Sequence, residues 1–248
     1  MRVLVTNDDG IKKPGIEILA NWAKRLGQVT VVAPKVEQSA KSHSININTP
    51  FEAKKISWLE GIDCYSVDSA PADCVRFAYN GLNLQFDLVL SGINRGFNVG
   101  EDIAYSGTDA AIFEAAYFNC KAIAFSTVPE TFQWTTSACL DSIYTHILDH
   151  HYFDHNLIYN VNIPTDPKTI LLTKQGNAYY KDMFSEVKPG MYLACGYSMY
   201  DGGDNLDEDL DAVMNGYISI TPLSVNRTAV DAYRRLRQLE PSDKSSNS

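Results

Sequence analysis

The sequence has no basic excess: 21 lysines and arginines stand against 30 aspartates and glutamates, a formal net charge of -9. With no surplus cations to displace the counterions of a phosphate backbone, a nucleic-acid duplex is excluded as the main partner, although small anions can still be held locally. The chain has no uninterrupted apolar run near the roughly 18 residues that suggest a membrane span. No charged-then-apolar leader precedes the strand-like pattern that begins at Arg2-Val3. The expectation is a cytoplasmic protein with no membrane partner. Its five cysteines (Cys64, Cys74, Cys120, Cys139 and Cys195) show no C-x-x-C spacing, and their odd number leaves one unpaired in any full disulfide scheme. They read as reduced and mostly buried, which argues against a zinc site or thiol catalysis. Neither G-x-G-x-x-G nor G-x-x-x-x-G-K-[ST] occurs, so no nucleotide-cofactor motif is present. No internal repeat is visible.

What remains is an ordinary globular composition, 248 residues with 45% hydrophobic and 21% charged, long enough for a substantial core. The first two thirds alternate strand and helix signals. Val3-Leu4-Val5-Thr6 is a short β-branched run, and Ile16, Leu19, Ala20, Ala23 and Leu26 then recur at helical spacing up to Gly27. "VTVVAP", "YSV", "FDLVLSGIN", "KAIAFST" and "LIYNVNIP" read as further buried strands, separated by helices at "PADCVRFAYNGL", "SGTDAAIFEAAYFN" and Thr135 to Phe153. Continuous apolar strands alternating with helices predict an α/β fold, a mostly parallel sheet with helices on both faces. From Ile170 to Leu223 the strand-like pieces read as hairpins around an acidic loop, Asp201 to Asp211. A last helix, Ala229 to Leu239, carries Arg234, Arg235 and Arg237 at its C-terminal end. The expected organisation is one domain over residues 1–240, with a core of about 1–165, a C-terminal hairpin and helix extension of about 166–240, and a frayed tail at 241–248.

In such a sheet ligands bind outside the carboxyl ends of the strands. Three of the loops there are rich in oxygen-bearing side chains: Asn7-Asp8-Asp9, Gln38-Ser39, and Ser91 to Asn94. Carboxylates with hydroxyl and amide oxygens, and no histidine or cysteine beside them, suit magnesium or manganese better than zinc. Asp8 and Asp9 can share a site only if the backbone turns there, which Gly10 makes easy. The competing reading is that "NDDG" is a turn and cap for the next helix. In "SGINRGFNVGEDIAYSGT", four glycines allow close backbone approach and Ser106-Gly107-Thr108 open a helix whose N–H groups can hold an anion. An anion beside a divalent cation points to phosphate.

Two other clusters invite a metal reading and do not support it. His146, His150, His151 and His155 have H-x-x-x-H spacing but no H-E-x-x-H order, and read as a solvated or partly packed helix end. The acidic run Asp201 to Asp211 does not fit a calcium loop and reads as solvated.

"VLVTNDDG", "VVAPKVEQSAKSHSI", "APADCVRFA", "DLVLSGINRGFNVGEDIAYSGTDAAIFEA" and "GYISITPL", in that order, resemble the survival protein SurE family, the metal-dependent nucleoside monophosphate phosphatases. The resemblance spans Met1 to about Leu223. It implies a Rossmann-like core with a C-terminal extension exchanged between subunits of a dimer, sometimes built into tetramers. It also implies one divalent ion per subunit on Asp8, Asp9, Ser39 and Asn94, and hydrolysis of nucleoside 5'- and 3'-monophosphates, with short polyphosphate as a further substrate of some members. The chain departs from the pattern at Ser42, usually glycine, at Asp109, usually apolar, and at Glu208-Asp209, usually Thr-Asp. Asp109 adds negative charge near a helix start expected to hold phosphate.

On this reading Asp8 orients or deprotonates a metal-bound water, with Asn94 the other candidate catalytic residue. Asn98 and Ser106, Gly107 and Thr108 hold the phosphate oxygens, and His43 is a further candidate substrate contact. Two alternatives remain: a noncatalytic metal-dependent nucleotide-binding protein, and a phosphoacceptor signalling module, for which the chain lacks an aspartate at the end of the third strand.

Overall fold

The computed structural model describes residues 1–128, 136–178 and 180–240. The tail at 241–248 and the expected helix start at Thr135 lie outside the described residues.

Six strands form the parallel centre: β1 (Arg2–Thr6), β2 (Gln28–Pro34), β4 (Asp63–Val67), β5 (Leu88–Arg95), β6 (Lys121–Thr127) and β7 (Ile158–Ile163). β3 (Ala53–Ile56) closes one edge antiparallel to β4. On the other side β11 (Ile218–Pro222) runs antiparallel to β7 and parallel to β8 (Ile170–Leu172), giving the order β3-β4-β2-β1-β5-β6-β7-β11-β8. The central strands are buried along nearly their whole length, as their unbroken apolar runs require when both faces are covered.

The alternation of side chains divides the core. Val3, Val5, Leu88, Leu90, Ile123 and Phe125 pack towards α1 (Pro14–Ala23) and α4 (Thr136–Asp149), whereas Leu4, Val89, Ala122 and Ala124 pack towards α2 (Pro71–Arg76) and α3 (Gly107–Tyr117). The α1 helix starts with Pro14 in its first turn and buries Ile16, Leu19, Ala20 and Ala23, the residues whose spacing predicted it.

The second half departs from the expected hairpins in two places. β8 and β11 join the main sheet, because alternating Ile218, Ser219 and Ile220 bury both faces against β7. Only β9 (Tyr180–Lys188) and β10 (Met191–Ser198) form a separate antiparallel hairpin. The acidic stretch also contains a short helix, α5 (Asp209–Met214), which buries Leu210, Ala212 and Val213; its acids hid that apolar spacing. The last described element is α6 (Val230–Leu239), which buries none of its residues.

Candidate active site

The loops after β1, β2 and β5 and the start of α3 meet at the carboxyl end of the parallel strands. The β1 loop is closed by Asn7, whose Nδ2 donates to the Gly10 carbonyl (2.9 Å) while its Oδ1 accepts from the Gly10 N–H (3.3 Å). Gly10 sits at φ +114°, which a side chain would strain, so the turn that brings Asp8 and Asp9 together depends on it. The next loop is tied on by Gln38 N–H donating to the Asp8 carbonyl (2.7 Å) and by Ile11 N–H donating to Pro34 (2.8 Å).

The start of α3 closes over this turn. Thr108 Oγ1 donates to Asp8 Oδ1 at 2.5 Å, across one hundred residues of chain. A Cβ at Gly107 would lie 2.8 Å from Asp8 Cβ, so only glycine permits this approach. Ser106 caps the helix, its Oγ accepting from Asp109 N–H (3.0 Å), which leaves other first-turn N–H groups facing outward for an anion.

Asp8 is buried, only 4% exposed, and burial raises its pKa from the usual 3.8 to about 6, with Asp9 and Glu37 adding to the rise against the Thr108 hydrogen bond. Asp9 is raised too, again mainly by burial. Two carboxyls held together out of water are stable as anions only beside a positive charge. Among the described residues no three histidine, cysteine, aspartate or glutamate side chains are arranged so that they alone could hold a metal ion. The donor set is therefore two carboxylates supplemented by amide and hydroxyl oxygens, which fits a hard divalent ion such as magnesium or manganese.

Among the other expected ligands, Asn94 donates its Nδ2 to the Gly96 carbonyl (2.9 Å), which orients the side chain and leaves its Oδ1 available. It reaches this place because β5 breaks register against β6 between Ser91 and Asn94, where a Cβ on Gly92 would meet the Phe125 carbonyl at 2.3 Å. Ser39 lies on the exposed rim and donates to Glu37 Oε1 (3.0 Å), so a metal would have to draw its hydroxyl from that carboxylate.

Asn98 is held most firmly. Its N–H donates to Asn162 Oδ1 (2.8 Å), its Nδ2 donates to Ser126 Oγ (2.9 Å), and its carbonyl accepts from Asn160 Nδ2 (2.7 Å) and Asn162 Nδ2 (2.9 Å). His43 stands apart from this group. It pairs with Glu114 Oε1 at 3.0 Å beside Phe113 and Tyr117, six residues along α3 from Thr108, or roughly 9 Å of helix rise.

The sequence reading missed four contributors. Asn160 and Asn162 support Asn98, and their alternation in "YNVN" on a buried strand was the available signal. Glu37 adds negative charge beside both aspartates. Asp209, expected in a solvated loop, is fully buried and accepts from the N–H groups of Gly100 (3.0 Å), Gly176 (2.9 Å) and Leu210 (2.8 Å), tying the glycine-rich loop to the start of α5. The histidines of α4 and the turn after it stay outside the site: His146 stacks on His150 with ring centroids 4.0 Å apart.

The family model described as "Survival protein SurE" matches residues 3–182. The chain belongs to the SurE family. It is 36% identical to a protein named 5'-nucleotidase SurE from Petrotoga mobilis over 250 residues, covering 96% of this chain and 98% of that one. A 5'-nucleotidase SurE from Legionella pneumophila is 35% identical over 249 residues, covering 96% and 97%. The crystal structure of the SurE protein from Aquifex aeolicus superposes with a TM-score of 0.81 at 33% identity, covering 97% of this chain and all of that one. The SurE fold thus carries the aspartate turn, the glycine-rich loop and the capped α3 start in one frame.

Proposed function

We propose that this SurE chain is a phosphoric monoester hydrolase that releases phosphate from nucleoside 5'- and 3'-monophosphates, and from short polyphosphate. The observation that carries the reading is the Thr108 to Asp8 hydrogen bond, which brings the acidic turn against a helix start able to hold an anion. The names of its relatives, 5'-nucleotidase SurE, support the substrate class.

Asp8, Asp9, Asn94 and the Ser39 hydroxyl would hold one magnesium or manganese ion. Such an ion supplies a polarised phosphoryl oxygen and an acidified water. Asp8 would take the proton of the attacking water at the oxygen not engaged by Thr108 and return it to the nucleoside oxygen that leaves as the P–O ester bond breaks, the Thr108 hydroxyl fixing the carboxylate plane for that transfer. The first-turn N–H groups of Gly107 and Thr108 hold the non-bridging oxygens and oppose the charge that builds on them, with Ser106, whose own N–H donates to the Ile103 carbonyl (3.2 Å), fixing the turn. Asn98, fixed on four hydrogen bonds, positions the opposite wall.

The assembly is a homodimer or tetramer. On the β9–β10 hairpin Phe184 is 70% exposed, Tyr192 63% and Leu193 60%, and α6 exposes Tyr233, Leu236 and Leu239. Apolar surface of this extent supports exchange of the arm with a second copy. Cytoplasmic residence is part of the proposal; no helix among the described residues is long and apolar enough to cross a membrane.

The deciding experiment is phosphate release from a panel of 5'- and 3'-nucleoside monophosphates, first with chelator and then with added magnesium or manganese. Metal-dependent release is expected. Silence from every nucleotide with metal shown to be bound would reduce the chain to a binding protein.

A further inference from the structure

Asp109 is a carboxyl in the first turn of α3 that the mechanism above does not use. It is fully buried, and neither carboxyl oxygen meets a partner in good hydrogen-bond geometry, the Ser106 hydroxyl being the one side chain whose dipole favours its charged form. It precedes Ile112 by three residues, and Ile112 packs on the sheet, so Asp109 lies on the sheet-facing side of α3 one turn nearer the phosphate-holding end.

Below that turn the sheet surface is polar. Leu4 and Val89 face α3, so Thr6 and Ser91, two residues further along the same strands, face it too; Ile158 places Asn160 there in the same way. These residues form a row across the sheet, with Thr6 opposite Ser91, Ser91 opposite Ala124, and Ala124 opposite Asn160. Ser219 lies opposite Asn162 in the next strand. Thr6 Oγ1, Ser91 Oγ, Asn160 Oδ1 and Ser219 Oγ are buried without hydrogen-bond partners. Among the described residues the Tyr79 hydroxyl is the one other buried side-chain oxygen or nitrogen in that condition.

A buried acid over a layer of unpartnered polar atoms has a simple resolution. An ionised Asp109 would be one more uncompensated charge, and the charges that bear on it, Asp8 from the β1 loop and Asp209 from the start of α5, are negative. The cation on α2, the helix packed against α3, is Arg76, and it is engaged by Asp73 at 3.2 Å. A neutral Asp109 is instead a donor, the group that an acceptor-only atom such as Asn160 Oδ1 requires. Burial, opposed by the Ser106 hydroxyl and reinforced by Asp8 and Asp209, raises its pKa from 3.8 to about 8, so the neutral form prevails at pH 7.

Resting on the phosphatase reading, we infer that Asp109 sets the affinity of the α3 start for phosphate. Neutral, it donates into the polar row and leaves the positive end of the helix to the anion. Ionised, it places a negative charge in the same turn and drives phosphate off. The residue acts on substrate affinity rather than on the chemical step.

The test measures inorganic phosphate binding to the metal-loaded protein by calorimetry at pH 6.5 and 9, for the wild type, Asp109→Asn and Asp109→Val. Phosphate's own ionisation cancels in the comparison. The wild type is expected to lose affinity relative to both variants by on the order of tenfold, the size of one like charge acting at partly buried range. KM for a nucleotide should follow the same difference while kcat does not. An equal pH dependence in all three proteins overturns the inference. A second reading needs no variant: the infrared band of a protonated carboxyl should be present in the wild type at pH 7 and lost by pH 9.5, and its absence at pH 7 also overturns it. If phosphate binds in this Asp109-dependent way and no nucleotide is hydrolysed, the activity reading fails and this inference stands.

Discussion

Replacing Asp8 by asparagine should abolish phosphate release and, in the absence of metal, make the protein more stable. The reason is burial. A carboxyl whose pKa rises from 3.8 to about 6 on folding binds protons more tightly in the native state, so the metal-free protein loses stability as pH climbs between those values. Below about pH 4 both states carry the proton and the penalty vanishes; above pH 6 it is complete. At about 1.4 kcal/mol per pH unit, the full penalty is about 3 kcal/mol. The substituted amide would carry no charge and could still accept from Thr108 Oγ1, so Asp8→Asn recovers most of that energy. Urea unfolding of chelator-treated wild type and variant at pH 4 and pH 7.5 measures it. The variant should be about 2 to 3 kcal/mol more stable at pH 7.5 and nearly equal at pH 4. Added magnesium or manganese should stabilise the wild type far more than the variant, through mass action on the folded state. A metal-free variant no more stable than the wild type at pH 7.5, or an advantage that persists at pH 4, would refute the account of Asp8 as a carboxylate waiting for a cation.

Three further outcomes follow from named contacts. Ser106→Ala removes the Oγ that accepts from Asp109 N–H and should cost about 1 kcal/mol in thermal or urea unfolding, with a raised KM because the same turn holds phosphate. Gly107→Ala forces a methyl to within 2.8 Å of Asp8 Cβ, so release should fall at least tenfold while circular dichroism keeps the α/β signature; retained activity would show that α3 can shift away. Ending the chain after residue 229 removes α6 and its exposed Tyr233, Leu236 and Leu239, and light scattering should then report a smaller or weaker assembly.

The parallel core was legible because its strands are buried on both faces, which writes them as continuous apolar runs: "VTVVAP" and "KAIAFST" became β2 and β6. The α3 start was legible for a different reason, since a serine before a helical pattern has one strong use, and Ser106 caps. β3 escaped notice because AKKI is an edge strand with two exposed lysines and no apolar alternation. The short α5 was hidden in acids that look solvated one by one, yet Asp209 is buried on three backbone N–H groups. Pairing decides such a case, and pairing is not written locally. The oxygen-rich loops could be found from their positions after strands, whereas the Thr108 to Asp8 contact joins residues that no spacing rule connects.

One helix end therefore serves both stability and chemistry, and the two uses oppose each other. The first turn of α3 is packed against the sheet, capped by Ser106 and bonded to Asp8, which makes it rigid enough to hold an anion in register with an acidic turn. The same packing removes water from Asp8 and Asp109, so each carboxyl is costly unless a cation or a proton accompanies it. On the proposed reading a divalent ion would answer that cost at Asp8. At Asp109 the charges that bear on it are negative, and on the inference above a proton answers it. Raising the pH withdraws that proton but leaves the metal set ionised, so binding of phosphate should weaken on the alkaline side while metal affinity does not.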